Sequence, residues 1–400
     1  MKDIDVLNVT DKVKWIGVLD RDIVTFDIVM ETKYGTTYNS WFINAQKKTI
    51  IETTKEKFWD VYRNKIEKVT APEEIDYIIL NHTEPDHSGN VRNLLNLAPR
   101  ATVVGSGNAI RYLKDLMDGD FPHIIVKDGD TLDLGDMTLR FIGAPNLHWP
   151  DSIYTWLEEE QVLFTCDSFG AHFCHEAMYD DKVGDYDDAF TYYFDVILKP
   201  FSKFMLKAIE KIEGYDIKVI AAGHGPILRT NWKKYVALSK RYAEEYLQHP
   251  AKNRVYIPYV SAYHKTGMLA EKIAEGVKSA GDIEVFIQDI ETTPIGEMDM
   301  EITKANGIIV GSPTINQNIL LPVYKLFALL SPIRDKGKVA GAFGSYGWSG
   351  ENAKLIPEML KNLKMNMTDP GLFVKFTPDS NELQQAFQYG EKIGREILAG

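Results

Sequence analysis

The sequence predicts two α/β domains in tandem: a mixed α+β first half over residues 1–249 and a doubly wound parallel sheet over residues 250–400. Three observations carry this expectation. Up to about Tyr246, short apolar runs end in polar loops rich in histidine and aspartate. The segment His249-Pro-Ala-Lys-Asn-Arg254 is then polar and carries a proline, the composition of a linker. Beyond it the rhythm becomes strand, loop, helix, which predicts parallel strands wound with helices.

In the first half, Tyr77-Ile-Ile-Leu80 before Asn81, Val162-Leu-Phe164 before Thr165, and Val219-Ile-Ala-Ala222 before Gly223 each read as a buried strand followed by a functional loop. In the second, Val255-Tyr-Ile-Pro-Tyr-Val260 reads as a strand, with Pro258 expected at a bulge or strand end because it lacks an N–H. Leu269, Ile273 and Val277 recur every four residues, the buried stripe of a helix. Ile283 to Ile287, Gly307-Ile-Ile-Val310 and Lys338-Val-Ala-Gly-Ala-Phe343 complete the predicted strands. A length of 400 residues allows a core in each domain.

Composition excludes several classes. The formal net charge of −12 repels phosphate backbones and argues against nucleic-acid binding, although it suits docking to a basic partner. The two cysteines, Cys166 and Cys174, form no C-x-x-C pair, so neither a disulfide framework nor a rubredoxin-type iron site is present. The start, Met1-Lys-Asp-Ile-Asp, is too charged for a signal peptide, and the apolar runs are too short to span a membrane. The expectation is a cytoplasmic protein with no membrane association.

The strongest chemical pattern is Asn81-His82-Thr83-Glu84-Pro85-Asp86-His87-Ser88-Gly89, with four potential ligands, His82, Glu84, Asp86 and His87, within six residues just after a buried strand. A tight loop obeys no helical or strand period and can aim such side chains at one point. One H-x-E alone would read as a solvated turn; four potential ligands in H-x-E-x-D-H order point to metal. Three later residues reinforce it: His148 in Asn146-Leu-His-Trp-Pro-Asp-Ser152, Asp167 in Thr165-Cys-Asp-Ser-Phe-Gly170, and His224 in Ala222-Gly-His-Gly-Pro226. Glycines on both sides of His224 let backbone approach a crowded centre. His123 and His249 lack such company and read as structural.

On these residues the first 250 positions resemble the metallo-β-lactamase superfamily, whose αββα sandwich carries a binuclear site on loops at one sheet edge. Its hydrolases usually show H-x-H-x-D-H. Glu84 in place of the second histidine is the hallmark of the flavodiiron branch, the A-type flavoproteins. The resemblance implies that His82, Glu84 and His148 bind one iron, that Asp86, His87 and His224 bind the other, and that Asp167 bridges them. The donor set fits that reading: zinc hydrolase sites lean on nitrogen, whereas an added carboxylate is a hard donor that stabilises the higher charge of iron. With a bridging hydroxide, three carboxylates bring two divalent irons near neutrality. Tyr192 and Tyr193 fall where the family usually has a tyrosine near the diiron pocket, a position from which a phenol could deliver a proton; they fit equally two core aromatics on a helix. His172 and His175 follow Asp167 closely and are further candidates to line the pocket, while Cys166 and Cys174 read as buried small residues. The family often has a histidine after the phenylalanine of a segment like Asp20-Arg-Asp-Ile-Val-Thr-Phe26, and here Asp27 stands in that place.

The second half resembles flavodoxin in three loops. Ser261-Ala-Tyr263-His264-Lys265-Thr266-Gly267 opens the helix of Leu269 and offers hydroxyls and N–H groups as a phosphate cradle, with Ser261 and Thr266 at its ends and His264 where glycine is often found. Gly311-Ser312-Pro313-Thr314-Ile-Asn316 and Gly344-Ser345-Tyr346-Gly347-Trp348-Ser-Gly350 resemble isoalloxazine-binding loops, with Tyr346 and Trp348 able to flank the ring. Without a G-x-G-x-x-G after any strand, the cofactor expected is FMN rather than NAD or FAD.

The resemblance implies an oxidoreductase that passes electrons from an external donor through FMN to a diiron centre and reduces dioxygen to water, nitric oxide to nitrous oxide, or both. The implied donor is a rubredoxin-like protein or a reduced deazaflavin, and the implied assembly is a head-to-tail homodimer or a dimer of dimers. The competing readings are a zinc hydrolase with a fused flavodoxin domain and a non-catalytic oxygen or redox sensor.

Overall fold

The computed structural model describes residues 5–26, 30–248, 253–368 and 370–399. Asp27 and residues 249–252 of the proposed linker lie outside the described residues. The chain forms two compact units, Met1–Val24 with Thr32–Leu247, and Thr25–Glu31 with Gln248–Gly400.

The first unit stacks two sheets. The seven-stranded sheet runs, in spatial order, Leu7–Asn8, Val13–Trp15, Trp41–Ile43, Lys48–Ile51, Ile75–Leu80, Thr102–Gly105 and His123–Ile125. The five-stranded sheet runs Thr131–Asp133, Thr138–Gly143, Ile153–Leu157, Val162–Cys166 and Val219–Ala222. Trp15, Trp41, Ile79 and Val104 from the first sheet meet Phe141, Leu157, Phe164 and Ala221 from the second in one buried core. Every residue of Ile153–Leu157, Val162–Cys166 and Val219–Ala222 is buried, which is why these strands read as apolar runs without alternation.

This packing also sets where the loops end up. Val162–Cys166 and Val219–Ala222 are parallel neighbours, with Val162 beside Val219 and Cys166 beside Ala222, so their following loops emerge together. The Ile153 N–H donates to the Asn81 carbonyl at 2.9 Å, and the Asn39 N–H donates to the Gly223 carbonyl at 2.9 Å. These two bonds tie the ends of the facing sheets to each other and bring the predicted functional loops to one edge.

The second unit is a parallel sheet in the order Glu284–Asp289, Arg254–Tyr259, Gly307–Gly311, Val339–Tyr346, Asn366–Met367, with Leu372–Lys375 also paired to Val339–Tyr346. This is the 2-1-3-4-5 winding of a flavodoxin-like domain. Two expectations need correction. Pro258 sits inside a strand, opposite Gln288; pairing with the neighbour on the other side is made at Val255, Tyr256 and Tyr259 and skips the proline, which has no N–H to give. Likewise Gly344, Ser345 and Tyr346 are strand rather than loop. Leu372-Phe-Val-Lys375 supplies a parallel ladder opposite Phe343 to Tyr346, and that partner lies too far along the chain to be read locally. Among the described residues no helix is long and apolar enough to cross a membrane.

The helices Lys265–Ser279 and Ser380–Ala399 pack backbone to backbone. A Cβ on Gly276 would collide with the Phe387 carbonyl, and one on Gly390 with the Ile273 carbonyl. Main-chain atoms cannot step aside as a side-chain end can. Gly390→Ala is therefore expected to destabilise the second unit by about 2 kcal/mol or more, despite the higher helix propensity of alanine. Urea denaturation followed by circular dichroism measures it; an unchanged midpoint would contradict the packing.

Candidate functional site

The metal-type donors converge at the ends of the strands just described. After Ile75–Leu80 the chain turns into the short helix Pro85–Ser88, with Pro85 in its first turn and Glu84 as N-cap. This tight entry gathers His82, Glu84, Asp86 and His87 in one place. His148 comes from the loop before Ile153–Leu157, and Asp167 and His224 follow Val162–Cys166 and Val219–Ala222.

All seven predicted donors face one another. His148 Nε2 lies 3.0 Å from Glu84 Oε2, and His82 Nε2 lies 3.3 Å from the same oxygen. His224 Nε2 and His87 Nε2 lie 3.1 and 3.4 Å from Asp86 Oδ2. Asp167 stands between the two groups. Its Oδ2 is 3.3 Å from His148 Nε2 and 3.5 Å from His82 Nε2, while its Oδ1 is 3.1 Å from His87 Nε2 and 3.5 Å from His224 Nε2. The donors thus form two adjoining sets, His82, Glu84 and His148 with Asp167, and Asp86, His87 and His224.

The imidazoles are held from behind. His224 Nδ1 donates to the Thr37 carbonyl at 2.6 Å, which leaves Nε2 as the ring's electron-pair donor. His82 Nδ1 lies 3.2 Å from Asp151 Oδ1, and Asp151 is itself fixed by the Thr83 N–H at 2.8 Å and the Thr83 hydroxyl at 2.7 Å. Such outer partners orient a metal-binding histidine and raise its basicity. A Cβ on Gly223 would stand 2.7 Å from His87 Cε1, so the glycine before His224 is what permits the close approach.

The electrostatics fit a bound cation. Both Asp86 carboxylate oxygens and Asp167 Oδ2 are buried without a hydrogen bond, an arrangement too costly to leave uncompensated. Burial alone would keep the histidines neutral. Instead, Asp86 and Asp167 outweigh burial at His87 and lift it to about 10, and Asp167 and Glu84 lift His148 to about 9. Asp167 is held well below the usual carboxylate range despite burial, with His87 and His148 facing it. The pocket therefore favours positive charge at its centre, and metal ions supply that charge without protons.

Around this centre, Tyr193 and Tyr192 end the helix Asp187–Tyr193. The Tyr193 ring is buried 4.8 Å from His172 and 6.1 Å from His224, and burial followed by the Asp167 charge pushes its phenol well above the ordinary value. Tyr192, one residue and so about 100° around the helix, is half-buried. His172 is buried 5.1 Å from the His224 ring, with Nδ1 2.9 Å from the Thr36 hydroxyl; burial and then the neighbouring His224 hold it well below its usual value, hence neutral. His175 is instead exposed and stacks outward on Phe173. Cys166 is buried, but Cys174 is only half-buried. Sequence reasoning missed Asp151, although it lies in the quoted Trp-Pro-Asp-Ser stretch. It also missed Glu52, whose buried carboxyl accepts the Asn81 N–H at 2.8 Å beside His87 and Cys166 and is pushed up by burial to about 8.

In the second unit, a cavity of about 360 Å³ opens at the carboxyl ends of the parallel strands. Tyr263, Lys265, Thr266, Pro313, Thr314, Ser345, Tyr346 and Gly347 line it, together with Ala262, Ile315, Phe376 and Thr377, which the sequence reading did not single out. Thr266, in the first turn of the helix Lys265–Ser279, and Ser345, near the end of the strand Val339–Tyr346, are joined across it by a 3.0 Å hydroxyl–hydroxyl bond. Ser261 and Gly267 close the first loop, the Gly267 N–H donating to the Ser261 hydroxyl at 3.0 Å. Ser312 is buried with its hydroxyl donating to the Pro313 carbonyl, and Trp348 is exposed outside the cavity wall. His264 has φ +62° and Asn316 +54°. The left-handed backbone at His264 explains why glycine is common there. A helix N-terminus with hydroxyls, opening into a cavity edged by aromatics, fits a phosphate with an attached planar ring.

Comparison with known proteins agrees with both halves. Residues 37–225 match the ODP family beta lactamase, and residues 257–390 match flavodoxin. The chain is 39% identical over 391 residues to Type A flavoprotein fprA of Rhodobacter capsulatus, covering 96% of this chain and 90% of that one. It is 37% identical over 399 residues to flavo-diiron protein FprA2 of Clostridium acetobutylicum, covering 98% and 99%. Identity to nitric oxide reductase of Moorella thermoacetica is 34% over 397 residues, covering 97% and 98%. The structure of rubredoxin oxygen:oxidoreductase from Desulfovibrio gigas matches with a TM-score of 0.80 at 29% identity over 99% of both chains. On fold, donor set and full-length identity together, the chain belongs to the flavodiiron family, the type A flavoproteins.

Proposed function

We propose that this chain reduces dioxygen to water, nitric oxide to nitrous oxide, or both, with electrons from an external donor. Residues 1–249 would carry the diiron centre and residues 250–400 the FMN. The observation that carries the reading is the seven-donor cluster of four imidazoles and three carboxylates, with Glu84 rather than a third nitrogen beside His82 and His148. Two relatives, the nitric oxide reductase and the rubredoxin oxygen:oxidoreductase, support the two gases and a rubredoxin-like donor; a reduced deazaflavin is the other donor considered. A head-to-tail homodimer, or a dimer of dimers, is the proposed assembly.

In this reading His82, Glu84 and His148 would hold one iron and Asp86, His87 and His224 the other, with Asp167, which faces both sets, shared between them. When bound, iron supplies reversible one-electron chemistry and open positions for a diatomic gas, and FMN converts between one- and two-electron transfer. The residues do the remainder. Asp151 and the Thr37 carbonyl fix the orientation of His82 and His224. Tyr193 keeps its phenolic proton beside the cluster, available to a reduced oxygen atom. His172, neutral and bonded to Thr36, packs against His224 and limits water on that side. The N-terminal turn at Lys265 and Thr266, with Ser261 and Gly267 holding that loop, would take the phosphate of FMN, and Pro313, Thr314, Tyr346 and Gly347 would take its ring.

Three outcomes test this. Glu84→His should lower bound iron and cut gas reduction at least about tenfold while FMN stays bound, because a neutral nitrogen replaces a hard anionic oxygen; unchanged iron and turnover would refute the assignment. Asp151→Asn should weaken iron retention about 10- to 100-fold against a chelator with no change in flavin content. Finally, the fully reduced protein mixed anaerobically with each gas in a stopped-flow instrument should reoxidise within the mixing experiment with at least one. Reoxidation by neither would leave a sensor, and zinc in place of iron in the purified protein would leave a hydrolase.

A further inference from the structure

Phe376 lies where no flavin-binding function was assigned, and two independent features mark it. It follows the strand Leu372–Lys375 with φ +59°, a left-handed backbone that a bulky side chain seldom adopts. It is also 63% exposed, so packing against protein offers little to offset that conformation. The backbone is pinned there all the same. The Phe376 N–H donates to the Tyr346 carbonyl at 2.7 Å, and the ring lies so close to Gly347 that a Cβ on that glycine would meet it at 3.2 Å. The result is an aromatic ring held in the wall of the cavity that Tyr346 and Thr314 also line. Strain retained at an exposed aromatic, with its ring turned to a cavity, is the signature of a ligand contact rather than of a core residue.

We propose that Phe376 is a binding residue for the isoalloxazine ring of FMN, so that a loop after the last strand joins the three flavodoxin-type loops in forming the pocket. The inference rests on this unit holding FMN, but it is separable from that: the unit can hold FMN without Phe376 touching it. Phe376 is anchored through its backbone to Tyr346, and both residues line the same cavity. An aromatic contact with the flavin would also quench its fluorescence, which a purely structural role would not do.

The test uses the full chain, stripped of FMN and titrated with FMN while flavin fluorescence is followed. Phe376→Leu should raise the dissociation constant about tenfold and leave the bound flavin brighter, whereas Phe376→Tyr should stay within about twofold of the unaltered protein. Phe376→Gly adopts the left-handed backbone freely, so it should also weaken FMN about tenfold or more while the thermal midpoint of the FMN-free chain stays level or rises. Wild-type affinity and quenching in both Phe376→Leu and Phe376→Gly would overturn the proposal. So would a loss of subunit association in those variants with FMN binding intact, which would assign the ring to an interface between copies. Failure of the unaltered chain to bind FMN at all would instead overturn the reading of the whole unit.

Discussion

The structure turns on the cost of burying carboxylates. Asp86 and Asp167 are 4% and 2% exposed, and three of their four oxygens make no hydrogen bond. An isolated buried carboxylate is among the least tolerable groups in a protein interior; it persists when paired, protonated or bound to metal. Four imidazoles answer these charges on every side, yet imidazole can neutralise a carboxylate only by taking a proton. Two cations satisfy the whole set without protons. The cluster is thus most economically understood as half of an assembly whose other half is inorganic, and Asp167, facing both sets with different oxygens, is the residue that makes the two halves one site.

That constraint explains the architecture around it. A cluster of seven donors needs side chains from segments as far apart as His82 and His224 to hold position within fractions of an ångström. The first unit achieves this by ending buried parallel strands at one edge and tying the sheets there through Asn81–Ile153 and Asn39–Gly223. Nearby polar groups are consumed in the same task. Asn39 donates to the carbonyls of Ala222 and Gly225, and the Thr37 hydroxyl accepts the Gly225 N–H, so the glycine-flanked loop of His224 is gripped on both sides. Rigidity here comes from satisfied hydrogen bonds between strands rather than from any one strong contact.

Much of this was legible in the sequence because the chemistry is local. His82, Glu84, Asp86 and His87 fall within six residues, and the strand before them ends in the apolar run Tyr77-Ile-Ile-Leu80. The supporting groups were not legible for the opposite reason. Asp151 acts on His82 across 69 residues, and Glu52 reaches Asn81 across 29; nothing in the local pattern around either residue announces a partner. The second unit shows the same division. Its winding followed from alternating strands and helices, but the extension of Val339–Tyr346 depends on Leu372–Lys375, and Phe376 enters the cavity only because that late strand is parallel to it. Pro258 was misplaced because a local rule, that proline avoids strand interiors, yielded to a sheet that could skip its bonds on one side.

The two units solve the problem of holding a cofactor in different ways, and their backbones show it. The metal cluster is nearly sealed, so its precision comes from burial. The cavity of the second unit is open, and a small-molecule site of that kind must be shaped by loops that cannot rely on a surrounding core. There the chain adopts left-handed backbone at four non-glycine residues, His264, Asn316, Gln317 and Phe376, spread over three loops at the same sheet edge. Each such residue costs on the order of 1 kcal/mol relative to glycine. The ladder beneath them, continuous from Arg254–Tyr259 through Gly307–Gly311 to Val339–Tyr346, is where that cost is offset. Glycine at these positions would relax the backbone but leave the loops freer to move, and a small-molecule pocket gains more from loops already shaped than from loops at ease.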